Sequence, residues 1–120
     1  MKIRKAIIPA AGRGSRLYPI TKTQPKEMLP IYDKPIIQLV VEEAVNSGIE
    51  QILIITGKNK ESMERHFDLS ENGDIKLKEL NDLLKKVDIT FKRQTSPNGL
   101  GDAILHGKNF ANGEPVAILL

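Results

Sequence analysis

Cysteine and tryptophan are absent from the 120 residues, and aromatic side chains make up only 4% of them. Without cysteine the chain has neither a disulfide staple nor a thiolate zinc site, so its fold must rest on an apolar core. A domain of this length buries roughly two-thirds of its unfolded surface, enough for one such core. The shortage of aromatics removes the stacking platforms on which many nucleic-acid binders rely. Long apolar runs are missing too: Ile36 to Val41 is interrupted by Gln38 and falls far short of the roughly 20 residues that span a bilayer. Met1-Lys2-Ile3-Arg4-Lys5 leads into no signal-peptide cleavage pattern. These absences point to a soluble, cytoplasmic single domain with no nucleic-acid and no membrane partner.

The net charge is only +3, and its location says more than its size. Between Gly12 and Lys26 stand Arg13, Arg16, Lys22 and Lys26 with no acidic residue, while the rest of the chain carries −1. A cationic segment confined to one loop suits a compact anionic ligand better than a polyanion, which calls for basic residues spread along a face. His66 and His106 read as helix surface or boundary residues, since no paired ligand spacing accompanies them, and no metal ligand is expected within the chain. Lys58, Lys60 and Arg65 read as a solvated face, and Lys76 to Lys86 as the polar side of a helix.

Lys5-Ala6-Ile7-Ile8-Pro9 is a short apolar run ending in a glycine-containing loop, the pattern of a strand buried on both faces. Asp33-Lys34-Pro35 then punctuates the start of a helix with proline near its first position. Ile36, Ile37, Val40, Val41, Ala44 and Val45 form its stripe and Gly48 stands just past its end. Gln51 to Ile55 is a second buried strand stopped by Thr56-Gly57, after which Asn59 caps a short helix through Phe67. Leu77, Leu80, Leu84 and Val87 recur at helical spacing, and Ile89 and Phe91 alternate in a third strand ending near Gln94. A helix from about Leu100 to Asn109, with Gly107 in its interior, leads to a fourth strand at Val116 to Leu120.

Strands joined by helical crossovers predict an α/β fold, a doubly wound, Rossmann-like, mostly parallel sheet with ligand loops after Pro9, Ile55, Gln94 and Leu120. A buried strand running to the last residue leads to the further expectation that residues 1–120 are part of a single domain truncated after its fourth strand.

The loop Ala10-Ala11-Gly12-Arg13-Gly14-Ser15-Arg16 follows the first strand directly. Small residues there let backbone N–H groups approach a phosphate, and the arginines add charge. It is neither a Walker A loop nor G-x-G-x-x-G. A plain turn and an anion site are both open on spacing alone, and the charge segregation favours the anion site. Taken by themselves, Gln94 is a solvated strand end and Gly99 a helix-entry turn.

Ala10-Ala11-Gly12-x-Gly14-Ser15-Arg16, Pro25-Lys26-Glu27-Met28-Leu29-Pro30, Asp33-Lys34-Pro35, Val41-Glu42-Glu43-Ala44 and Ile54-Ile55-Thr56-Gly57, in this order, resemble the sugar-1-phosphate nucleotidyltransferase family. The likeness covers nearly the whole chain, and its wording is most similar to the branch that transfers uridylyl groups. Leu17-Tyr18-Pro19 and Tyr32 are similar instead to the thymidylyl branch, which uses dTTP, and Ser15 stands where threonine is usual. The resemblance implies the nucleotide-diphospho-sugar transferase type of fold, UTP and glucose 1-phosphate as substrates, UDP-glucose and pyrophosphate as products, and Mg²⁺ held by ligands beyond Leu120. It makes residues 1–120 the nucleotide-binding part, inactive or nearly so without those ligands, and the full-length protein a homo-oligomer. It assigns Arg16 and Lys26 to catalysis at the phosphates, and Ala10, Ala11, Gly12, Gly14 and Ser15 to nucleotide binding, with Arg13 a weaker candidate. Gln94 and Gly99 are assigned to the pyrimidine. A nucleotide-binding module without turnover and, more weakly, a nucleic-acid-binding domain are the rival readings.

Overall fold

The computed structural model describes residues 2–12, 14–57, 61–70, 73–94 and 99–119. In chain order it runs through β1 (Lys5–Pro9), three 3₁₀ turns at Ser15–Leu17, Ile20–Lys22 and Lys26–Met28, and a small hairpin of β2 (Pro30–Ile31) and β3 (Lys34–Pro35). Then come α1 (Ile36–Asn46), β4 (Gln51–Thr56), α2 (Glu61–His66), and a 3₁₀ turn at Ile75–Leu77 leading into α3 (Lys78–Leu84). The chain continues with β5 (Asp88–Arg93), α4 (Leu100–Leu105), α5 (Lys108–Ala111) and β6 (Val116–Ile118).

The four longer strands pair in parallel in the order β5-β4-β1-β6. Starting at β1 the chain steps outward to β4 and β5, then returns to the other side of β1, which is the strand reversal that opens a crevice in a doubly wound sheet. Ile7, Leu53 and Ile55 pack with Ala103 and Phe110 on one face. Ala6, Ile8, Ile52 and Ile54 pack with Ile37, Val41, Met63, Leu80 and Leu83 on the other. Alternate residues of one strand thus serve opposite faces, as the strand period of two requires, and both faces are covered by helices as expected. β5 alternates between Ile89 and Phe91, packed on the core, and exposed neighbours.

The stripe on α1 buries Ile37 and Val41, each contributing roughly 1.5–3 kcal/mol. Pro35 caps this helix instead of occupying its first turn, and the N–H of Ile36 is satisfied by Leu29 O at 3.0 Å. At the other end Gly48 adopts φ +95°, its N–H reaches Val45 O, and Ile49 N–H reaches Ala44 O. That is a Schellman motif, and glycine is there because the left-handed residue would otherwise carry a Cβ penalty.

Three more local expectations change, the first at the buried fourth strand expected from Val116 to Leu120, which is half-buried and ends at Ile118. The helix expected over Leu100 to Asn109 is two helices broken at His106-Gly107, where a Cβ on Gly107 would collide with Ile7 Cδ1. The bend follows from seating both short helices against β1. Val87 lies past the end of α3 and packs from the connection to β5. The hairpin of β2 and β3, and the 3₁₀ turns before it, are additions. Arg13, Asn59 with its helix cap, Lys58, Lys60, the loop 95–98 and Leu120 lie outside the described residues. Among the described residues no helix is long and apolar enough to cross a membrane.

Candidate active site

β1 ends at Pro9, yet the ladder runs one residue further because Ala10 N donates to Ile55 O at 2.7 Å. Ala10 is buried under the loop, so its smallness serves packing and its backbone stays bound to the sheet. Ala11 and Gly12 leave the sheet there. Their path is pressed against the end of β4, since a Cβ on Gly57 would stand 3.0 Å from Ala11 O. Gly12 faces open space, with nothing within 4 Å of where its Cβ would be.

The loop is then turned by Gly14, left-handed at φ +66°. Its carbonyl accepts from the hydroxyl of Thr21, itself buried, at 2.6 Å. A side chain at Gly14 would press on Thr21, so this glycine shapes the loop from behind. Ser15 and Arg16 follow on an exposed 3₁₀ turn. Beyond the basic segment, the ammonium of Lys34 reaches Glu42 at 2.8 Å and Glu79 at 2.7 Å, tying β3 to α1 and α3. The hydrogen bonds to Glu42 and then Glu79 raise the Lys34 pKa above that of a free lysine.

On the neighbouring strand, Gln94 N donates to Thr56 O at 2.7 Å, which extends β5 by one residue. Its side chain is only 4% exposed and donates from Nε2 to Asp102 Oδ2 at 2.6 Å. The solvated strand end that the residue suggests by itself is therefore corrected: Gln94 is buried and bonded. Gly99, left-handed at φ +91°, caps α4, and its carbonyl accepts from Ala103 N. It too has open space where a Cβ would be.

These elements enclose a cleft of about 350 Å³ at the carboxyl ends of β1 and β5. Ala11, Gly12, Lys26, Gln94 and Gly99 line it, together with Leu100 and Ala103 of α4. Five of the nine candidate residues thus converge, although 83 positions separate Ala11 from Gln94 in the chain. Ala10 supports the floor, while Gly14, Ser15 and Arg16 lie outside the lining. Among the described residues neither Arg16 nor Lys26 is engaged in an ion pair, so both cations remain uncommitted. The described lining offers one cation, two glycines and no carboxylate. A larger cavity of about 620 Å³ lies between α1 and β6, lined by Val40, Ala44, Ala117 and Leu119 among others. It gathers none of the candidate residues. Sequence reasoning missed Asp102 and Thr21, which hold site residues from behind; neither carries a local signal.

The family model described as Nucleotidyl transferase matches residues 5–120. A UTP–glucose-1-phosphate uridylyltransferase of Streptococcus pneumoniae is 55% identical over 99% of this chain and 42% of its own length. One of Bacillus subtilis is 54% identical over 99% of this chain and 43% of its own length. A UDP-glucose pyrophosphorylase solved with UDP-glucose superposes with a TM-score of 0.90 at 49% identity, over 99% of this chain and 45% of that one. The chain therefore spans less than half the length of the relatives it matches. With its strand order, its glycine-rich loop after β1 and a family match over almost every residue, the chain belongs to the nucleotidyl transferase family.

Proposed function

We propose that this chain is the nucleotide-binding part of an enzyme that transfers a uridylyl group from UTP to glucose 1-phosphate. A phosphate oxygen of the sugar phosphate attacks the α-phosphorus of UTP, the bond from that phosphorus to the bridging oxygen of the β-phosphate breaks, and pyrophosphate leaves. Such a reaction asks the protein mainly to align two anions and offset developing charge. Backbone at Ala11 and Gly12 approaches the triphosphate, Lys26 neutralises charge on the reacting phosphates, and Arg16, free of described partners, serves the departing pyrophosphate. Gln94 and Gly99 take the base, the amide by hydrogen bonding and the glycine by letting the ring lie close to the main chain.

The observation that carries this reading is the meeting of Gly12 and Lys26 with Gln94 and Gly99 in one cleft. That the similar proteins of Streptococcus pneumoniae and Bacillus subtilis are UTP–glucose-1-phosphate uridylyltransferases favours UTP over dTTP. The Mg²⁺ implied by the resemblance is not fitted by the residues present. Among the described residues no three His, Asp or Glu side chains converge, and Asp102 on α4 is bonded to Gln94. No step is assigned to the metal.

The test is UDP-glucose formation by this chain extended to the length of its relatives. Lys26→Ala and Arg16→Ala should each lower kcat by about 100-fold, the usual loss for one group that stabilises transition-state charge. Full activity in both variants would overturn the assignment, and competition between UTP and dTTP decides the base.

A further inference from the structure

Asp102 stands in the first turn of α4, half-buried and outside the cleft lining. Its Oδ2 accepts the Gln94 Nε2 hydrogen bond at 2.6 Å and lies 3.6 Å from His106 Nε2. The main chain of Gln94 is pinned to Thr56 and its side chain is buried, so the one freedom left to it is which end of the amide faces the cleft. The two ends have nearly the same shape and opposite hydrogen-bonding sense, so packing alone does not choose between them. A carboxylate only accepts. Asp102 is satisfied by the NH₂ end alone, and the carbonyl oxygen of Gln94 must then point away from it.

We propose that Asp102 is a positioning residue that sets base specificity. It holds Gln94 with Oε1 presented to the cleft, which selects a pyrimidine carrying N3–H, as in uracil, over one whose N3 is a bare acceptor, as in cytosine. A bare N3 against Oε1 sets two acceptors face to face and leaves both unpaired, the arrangement that buried sites reject most strongly. The proposal rests on the reading of Gln94 as a base contact, and goes beyond it in naming what orients the amide.

The experiment titrates UTP and CTP calorimetrically into the wild-type chain and into Asp102→Asn, with Gln94→Ala as reference. Asparagine can either accept or donate, so the Gln94 amide regains both orientations. The wild type should bind UTP at least about tenfold more tightly than CTP, and Asp102→Asn should lose most of that preference. No preference in the wild type overturns the proposal, as does a preference that Asp102→Asn retains. If Asp102→Asn does not fold, the side-chain amide signals of Gln94 in the wild type decide: an N–H still bonded to Asp102 in the UTP complex supports the proposal, and its release overturns it. Unchanged UTP affinity in Gln94→Ala would instead remove the base contact itself, so the two failures are distinguishable.

Discussion

Gly107 is buried between α4 and α5 at φ −90°, a conformation open to any residue, so its replacement by alanine tests packing without backbone strain. The new methyl would run into Ile7 Cδ1 and stand 3.3 Å from Ile7 Cγ1 and from Ile104 O. Ile7 is 2% exposed, between strands and helices that leave it little room to swing aside. Overpacking of this kind costs about 1–3 kcal/mol, and the lower freedom of the unfolded chain offsets about 0.5–1 kcal/mol. Gly107→Ala should therefore lose about 1–2 kcal/mol. Ile7→Val deletes the clashing carbon and by itself costs about 1 kcal/mol. Combined, the two should not add, because the alanine methyl enters the space that Cδ1 vacates. The double variant should lie within about 1 kcal/mol of the wild type, a coupling of about 1–2 kcal/mol. Urea unfolding measures this directly, and in melts each 1 kcal/mol should shift the midpoint by about 4 °C. Strictly additive losses would refute the claim that this glycine exists to seat the helix pair on β1.

Gly12→Val should leave stability within about 0.5 kcal/mol, since its Cβ meets no atom. It should nevertheless weaken UTP binding by about tenfold or more by filling the cleft, and calorimetry beside a melt will show whether the two effects separate as stated. Lys5, 6% exposed, donates to Phe110 O at 2.8 Å and lies 3.5 Å from Glu114. Lys5→Met keeps the apolar stem and loses a charged hydrogen bond, so unfolding free energy should drop by about 2 kcal/mol; an unchanged value would mean that relief of desolvation cancels the loss. Burial holds the His66 pKa below 6.5, so the folded state binds its proton less readily than the unfolded chain does. The associated stability is complete above that pH and declines as pH falls below it. Between pH 7 and about 5.5 the wild type should lose stability relative to His66→Gln, which can keep the contact with Gln38; parallel losses in the two proteins would contradict this.

β1 and β4 were readable in the sequence because strands covered on both faces are continuous apolar runs, and α1 because its stripe and its terminal Gly48 are local signals. The cationic loop was readable because charge is counted along the chain. What a linear reading could not give is the break at Gly107, which exists only because Ile7, a hundred residues earlier in the chain, lies beneath it. Nor could it give Gln94 as a buried group. An amide at a strand end looks solvated until α4 folds over it and brings Asp102 within hydrogen-bonding reach.

The sequence by itself determined the four strands of the parallel sheet, the stripe-bearing helices and the basic loop. These follow from local periodicity, turn chemistry and charge. The tertiary structure alone decided that Gly12 and Lys26 share a cleft with Gln94 and Gly99, that Arg16 stands outside its lining, and that Asp102 faces Gln94 from behind. Each of these is set by how the sheet is wound and which loops and helices it brings side by side, and none is written in adjacent residues of the chain.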